Sequence, residues 1–462
     1  MVYCMDWIPT LKGRAGPLYL RIVEALSADI ADGRLRRGQQ LPTHRRLSTD
    51  LEIDLSTVTR AYREAQSRGL IDARVGQGTF VAETLSQRRR VTTPGVTFDL
   101  SMNLPPQPLD ADLEGRIVQG IAAISREGGL SAYLNYREAG GTEAERDTAA
   151  RWLRSRIAGA EASRIVICAG AQNALSVLLG TMTAPGDKIL AETLTYPGLK
   201  AAAAFAGVEL VGVATDASGI EPDALKSALR RNKPKALYLI PTIHNPTTVT
   251  MPRARRVEIA EIVRSNGVNL IEDDAYGMLE PDAVPFAALV PERTYHVASM
   301  SKCVAPGLRI AFLLAPDPTA ATRITNGLRA AVQMTAPLMV ALVTRWIADG
   351  SADAIVKAIR EEAGARQELA RKILAGASFA ARDFGHHLWL SLPRSWTRGE
   401  FVAHVQRQGL AVVASDAFSL NDAPPLAIRV ALGAANSRHE LASALNLLAA
   451  ALRLPGQVGD IV

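Results

Sequence analysis

Ser299-Met300-Ser301-Lys302-Cys303-Val304-Ala305-Pro306-Gly307-Leu308-Arg309 follows a short apolar run, 295–298, that reads as a strand. A lysine just past a strand end, flanked by hydroxyls and followed seven residues later by an arginine, carries a definite chemistry. Its amine can form a Schiff base with an aldehyde while Ser299 and Arg309 hold a phosphate. Lys302 is therefore the candidate catalytic residue, and the rest of the chain can be read outward from it.

Upstream, Ile271-Glu272-Asp273-Asp274-Ala275-Tyr276 ends another strand-like run with a carboxylate and, three residues on, a phenol. Asp273 suits a protonated pyridine nitrogen, which keeps an aromatic ring an electron sink, and Tyr276 suits a ring oxygen. His244-Asn245-Pro246-Thr247 adds the Asn245 amide for the same oxygen, and Tyr196, in Thr195-Tyr196-Pro197-Gly198, can stack on the ring. Gly170-Ala171-Gln172 opens a helix after a strand and offers backbone N–H groups to a phosphate. Taken singly, each has an ordinary reading: Asp273 a strand-end cap, Asn245-Pro246 a turn, Lys302 a solvated loop residue. Their common order along the chain gives them weight together.

Runs at 165–167, 189–191, 236–240, 269–272 and 295–298 alternate with helical stretches, the pattern of a mainly parallel sheet wrapped by helices. From about residue 340 the pattern becomes more helical, with Gly385-His386-His387-Leu388-Trp389-Leu390 and Ile428-Arg429-Val430-Ala431-Leu432-Gly433 as strand candidates, which fits a smaller α+β lobe.

The other end has a different character. Tyr19, Ile22, Val23, Leu26 and Ile30 form one apolar helical stripe that stops at Gly33. Leu41-Pro42-Thr43 supplies a proline and a cap for a second helix with Leu47 and Leu51 on its inner face. After a turn at Ile53-Asp54, Val58, Ala61, Tyr62 and Ala65 mark a third helix ending at Gly69, and 70–81 reads as a hairpin with Gly76-Gln77-Gly78 at its tip. Three helices and a hairpin make a winged helix-turn-helix. Beyond it, 83–97 loses periodicity, carries Arg88-Arg89-Arg90 and reads as a linker.

Charge agrees with this division. The formal net charge is +6, and residues 11–90 hold 15 Lys/Arg against 9 Asp/Glu, so the whole excess sits at one end, as in a domain that meets a polyanion. Cys4, Cys168 and Cys303 are an odd number without paired spacing, which argues against a disulfide framework and a zinc site and suits a reducing cytoplasm. No segment has the length of a membrane span, and the cytosol is the expected compartment.

Residues 17–81 resemble the GntR-type winged helix-turn-helix, through Leu41-Pro42-Thr43, Arg45, Leu47-Ser48, Thr57-Val58, Arg60-Ala61-Tyr62, Gly69-Leu70 and Gly76-Gln77-Gly78-Thr79-Phe80. The resemblance implies that Arg45, Ser56, Thr57, Thr59, Arg60 and Gln77 contact double-stranded DNA, with the third helix in the major groove. Leu55 stands where many relatives have arginine; it can meet a thymine methyl and cannot bind guanine bidentately.

Residues 98–462 resemble the aspartate-aminotransferase fold, that of fold type I pyridoxal-phosphate enzymes. That resemblance implies pyridoxal 5'-phosphate on Lys302, with Asp273, Tyr276, Asn245, Tyr196, Ser299, Arg309, Gly170, Ala171 and Gln172 around it, and Arg429 gripping an α-carboxylate. It further implies a homodimer in which Tyr136 of one subunit reaches the cofactor phosphate of the other. Thr248 stands where these enzymes often have glycine.

The expected architecture is thus an N-terminal winged helix-turn-helix over 11–82 (α with a small β wing), a linker over 83–97, and an α/β aminotransferase-like domain over 98–462 with its small lobe from about 340. A GntR-type head on such a body is the arrangement of the MocR subfamily of regulators. The resemblance implies a transcription regulator that senses the cofactor, or an amine or amino-acid effector, by aldimine formation. A working aminotransferase with an accessory DNA-binding head, and a pure cofactor sensor, are the alternatives.

Overall fold

A computed structural model of the chain describes residues 7–11, 16–36, 38–67, 70–74, 78–82 and 96–454. Two compact units divide it, Met1–Phe98 with Ala435–Leu445, and Asp99–Ala434 with Asn446–Val462.

In the first unit, α1 (Leu18–Ala31), α2 (His44–Asp50) and α3 (Leu55–Ser67) precede an antiparallel wing of β1 (Ile71–Arg74) and β2 (Gly78–Val81), in register from Ile71 opposite Val81 to Arg74 opposite Gly78. The helices form because their apolar residues recur on one face: Ile22, Val23 and Leu26 of α1, Leu47 of α2, and Val58, Ala61, Tyr62 and Ala65 of α3 share one buried cluster. Thr43 starts α2 by accepting the Arg46 N–H at 3.3 Å. Trp7 also packs into this cluster and donates its indole N–H to Asp29 at 2.8 Å, a contact between residues 22 apart that no local pattern announces. The hairpin tip with Gln77, the residue Gly69, and 83–95 of the expected linker lie outside the described residues.

The second unit is built on a seven-stranded sheet in the order Ile165–Cys168, Ala311–Leu314, Thr294–Ser299, Asn269–Asp273, Ala236–Leu239, Lys188–Glu192, Glu209–Val213. Ala311–Leu314 runs antiparallel to both neighbours and the other pairs are parallel, so the sheet is mainly parallel as expected. The strands Ile165–Cys168, Ala311–Leu314, Thr294–Ser299 and Ala236–Leu239 are buried on both faces, whereas the edge strand Glu209–Val213 is partly exposed. Val166, Ile189 and Tyr238 pack among the helices Ala171–Met182, Pro197–Ala206 and Pro318–Val332, whereas Leu190, Leu237 and Leu239 pack with Pro222–Asn232 and Arg253–Asn266. Helices therefore cover both faces, and the functional side chains collect at the carboxyl ends of parallel strands.

The two expected strands of the later part, His387–Ser391 and Ala427–Ala431, lie at the centre of a four-stranded antiparallel sheet completed by Phe379–Ala381 and Val413–Ala414, which the sequence did not single out. Trp389 lies opposite Arg429 in its register, which places Arg429 in the middle of a fully buried strand. No described helix is long and apolar enough to cross a membrane.

Candidate functional site

On the first unit, Arg45 of α2 and Ser56 and Arg60 of α3 are exposed, while Thr57 and Thr59 are half-buried. The Arg60 guanidinium lies 4.0 Å from the centre of the Tyr19 ring, which holds it in place while leaving its edge available. Thr59 Oγ1 is 3.4 Å from His44 Nδ1, and the His44 ring meets Tyr62 edge-on. The Ser56 hydroxyl donates to Asp54, whose Oδ1 also accepts the Ser56 N–H at 2.7 Å. These bonds hold the Asp54 carboxyl below its ordinary value, and they commit Ser56 to closing the start of α3. Leu55, 41% exposed, leads the same helix.

On the second unit, Lys302 sits in the short helix Met300–Cys303 directly after the strand Thr294–Ser299. Its Nζ donates to the Asn103 carbonyl. Burial, then the nearby positive charge of Arg429, lowers the Lys302 ammonium to about 8, with Asp273 opposing. Roughly a tenth of such an amine is neutral at pH 7, against less than a thousandth of an ordinary lysine. We expect the rate of aldehyde capture to rise with pH and level off above about 8; stopped-flow absorbance with pyridoxal phosphate reads this, and a rise continuing past pH 10 contradicts it.

Asp273 ends the strand Asn269–Asp273 and is buried. Its Oδ2 accepts the Tyr238 hydroxyl at 2.8 Å and its Oδ1 has no partner. Burial raises the carboxyl to about 6, against the Tyr238 bond, so it remains largely ionised at neutral pH. Behind it, Glu272 accepts the N–H groups of Phe286 and Ala287 and lies 2.8 Å from His296 Nδ1, while Asp274 pairs with Arg156. These bonds fix the strand end that carries Asp273.

Tyr276 is buried, its phenolic oxygen accepting from Asn103 Nδ2 at 2.7 Å, and burial pushes the phenol well up. Asn245 Oδ1 accepts from Arg429 Nη1 at 2.9 Å, and Arg429 Nη2 donates to the Ser101 carbonyl at 2.5 Å. Burial lowers the Arg429 guanidinium to about 10, and its Nε is without a partner. Tyr196, half-buried, has its phenol raised by burial and by Asp273, with Arg309 and Arg429 opposing, so all four groups share one electrostatic environment.

Gly170 (φ 85°) caps the helix Ala171–Met182, and a Cβ on it would stand 2.7 Å from Arg309 Nη2. The guanidinium of Arg309 donates to the Ala169 carbonyl at 3.1 Å, beside the helix start where backbone N–H groups lack intrahelical acceptors. Gln172 Nε2 donates to the Gly198 carbonyl at 2.8 Å. Ser299 Oγ donates to Ser301 Oγ at 2.9 Å. Tyr136 stands apart, 82% exposed. Thr248, where glycine is usual in the family resembled, adopts φ 66°, a left-handed conformation that costs a threonine about 1–2 kcal/mol.

Sequence reading passed over Asn103 and Tyr238, which bind Tyr276, Lys302 and Asp273. It also took His386 and His387 only as strand markers. His386 Nε2 lies 2.7 Å from the Lys302 carbonyl and His387 Nε2 3.2 Å from the His244 carbonyl, and burial lowers both imidazoles, His386 to about 3. Both rings also lie against that of Tyr276.

A half-buried lysine of lowered basicity, a buried carboxylate with one unpaired oxygen, a phenol, and an arginine beside a glycine-capped helix suit an aldehyde-bearing, phosphorylated pyridine. Residues 99–448 match the aminotransferase class I and II model, and 18–81 match the gntR family of bacterial regulatory proteins. The chain belongs to the aminotransferase class I and II family and, with its gntR-type head, to the HTH-type transcription regulators built on that plan, the arrangement of the MocR subfamily. It is 30% identical to the uncharacterized HTH-type transcriptional regulator YdeF of Bacillus subtilis, over 96% of each chain. The HTH-type pyridoxine biosynthesis transcriptional regulator PdxR of Corynebacterium glutamicum is 29% identical over 65% of this chain and 66% of its own. The fold is that of LysN, the α-aminoadipate aminotransferase of Thermus thermophilus, with a TM-score of 0.71 and 24% identity over 78% of this chain and 92% of LysN. Pyridoxal phosphate is the cofactor of this family and fold, and the unpaired Asp273 Oδ1 and the cradle at Gly170 fit its ring nitrogen and phosphate.

Proposed function

We propose that the protein is a cytoplasmic, homodimeric transcription regulator that binds pyridoxal phosphate through Lys302 and responds to the cofactor itself or to an amine or amino-acid effector. The observation that carries this reading is the pairing of a DNA-binding head with a body in which the charges of a lysine, an acid and an arginine act on one another at a single site.

Bound there, pyridoxal phosphate supplies an electrophilic aldehyde and an electron-accepting ring. The protein's part is to hold it. Asp273 Oδ1 would take the ring N–H, Tyr276 and Asn245 would serve the ring oxygen, and Tyr196 would face the ring. The N–H groups of Ala171 and Gln172, with Ser299 and Arg309, would hold the phosphate. Arg429 offers a fork of donors to an effector carboxylate. Lys302, with a basicity close to neutral pH, carries or gives up a proton at Nζ. Tyr136, exposed on one chain, completes the phosphate site of a second copy. An effector shifts the DNA-binding equilibrium only as far as it binds the two conformations unequally. Exchange of partners at Lys302 and Arg429 provides that inequality.

The lowered Lys302 also favours a second reading, a working aminotransferase, because an acid/base of that strength suits proton transfer at an α-carbon. The two separate on one assay. Sustained keto-acid production from an amino acid supports the enzyme, and amine-dependent operator affinity without turnover supports the regulator.

Arg45 gives the head its own test. Arg45→Ala should weaken operator binding by about 1–2 kcal/mol, roughly tenfold, while cofactor uptake stays unchanged. Fluorescence anisotropy with operator DNA measures it, and equal affinity would mean that the head docks by another face.

A further inference from the structure

Ser101 and Asn103 lie on one short stretch, and each gives its backbone carbonyl to a cation of the site: Ser101 to Arg429 Nη2 and Asn103 to Lys302 Nζ. Asn103 also donates its side-chain amide to the Tyr276 oxygen at 2.7 Å. One residue earlier the chain is anchored elsewhere. The Leu100 N–H donates to the Ala411 carbonyl and the Leu100 carbonyl accepts the Ala431 N–H, both at 2.9 Å. Residue 100 is thus sewn to the small lobe, while 101–103 is tied to the pocket by the very donors a ligand requires.

Those donors cannot serve both. Condensation of the Lys302 amine with an aldehyde forms a C=N bond and releases the aldehyde oxygen as water. The nitrogen, a three-proton donor as an ammonium, then keeps one proton at most. A carboxylate likewise takes up the paired N–H groups of Arg429 that now serve Asn245 and Ser101. Asn103 is only 8% exposed, so a carbonyl released there must find another partner, and the segment has to shift.

We propose that residues 100–104 form a ligand-reporting strap, in which the Ser101 and Asn103 carbonyls register occupancy of Arg429 and Lys302, and the Asn103 side chain positions Tyr276. The proposal rests on the regulator reading, in which release of 101–104 against a Leu100 held by Ala411 and Ala431 distinguishes the ligand-bound from the ligand-free body.

Hydrogen–deuterium exchange of the full-length protein tests it, with and without pyridoxal phosphate, in wild type and in Lys302→Ala and Lys302→Met. Saturating cofactor should speed exchange at the amides of 102–104 by about fivefold or more, with the Leu100 amide unchanged. Both variants should show the fast exchange without cofactor, since they lack the donor. Asn103→Ala should reproduce the loosening, and Asn103→Gln, which keeps the amide donor, should restore part of the protection. Unchanged exchange in wild type carrying the visible cofactor band, or variants as protected as wild type, would overturn the proposal. Operator affinity in the same samples separates the two readings: faster exchange without altered affinity leaves the strap standing and removes the regulator.

Discussion

Lys302→Ala is expected to abolish the visible absorbance band that pyridoxal phosphate acquires on the wild-type protein, while the chain stays folded. The reason is local. Lys302 is the lysine that the fold places beside Asp273 and Arg429, and its amine is lowered to about 8 by a burial that leaves a larger neutral fraction. The substitution removes a flexible side chain and one bond to a backbone carbonyl, so the change in stability should stay within about 2 kcal/mol. The pH dependence of stability carries a sign as well. A lysine whose folded value lies below its unfolded value releases its proton on folding between the two, so cofactor-free wild type gains stability as pH rises from about 8 toward 10.5. The alanine variant should lose that gain. Spectral titration and denaturation at several pH values check both, and a persistent band would mean that another lysine carries the cofactor.

Asp273→Asn should weaken cofactor binding by about 3–4 kcal/mol, roughly two to three orders of magnitude, because it removes the charged partner of a buried ring nitrogen. Burial has already raised this carboxyl to about 6, and the Tyr238 hydroxyl opposes that rise by bonding the ionised form. Tyr238, with the charges of Lys302 and His296, thus favours the ionised acid. Equilibrium dialysis with pyridoxal phosphate reads the loss, and wild-type affinity in the asparagine variant would contradict the assignment of Asp273 to the ring nitrogen.

The elements legible in the sequence were those that carry local periodicity or a chemical pattern at fixed spacing. The α1 stripe, the Thr43 cap, the wing and the parallel strands all declare themselves within a dozen residues. The strand Ala311–Leu314 was not singled out, and its antiparallel direction depends on neighbours far away in sequence. Asn103 had no signal at all. It meets Lys302 across 199 positions and Tyr276 across 173, and only the closed fold brings them together. Tyr238 looked like core, which it is, and its hydroxyl matters because Asn269–Asp273 pairs alongside. Gln77 lies outside the described residues, and Tyr136 is exposed on the single chain.

Operator affinity measured while the cofactor state of Lys302 is followed in the same cuvette tests the central claim most directly. The account predicts that pyridoxal phosphate, or one amine added to the cofactor-loaded protein, changes operator affinity in step with the absorbance of the lysine-bound cofactor, that Lys302→Ala removes this response, and that no keto acid accumulates. Operator affinity indifferent to cofactor and amine, with keto acid produced turnover after turnover, would contradict it and leave an aminotransferase in its place.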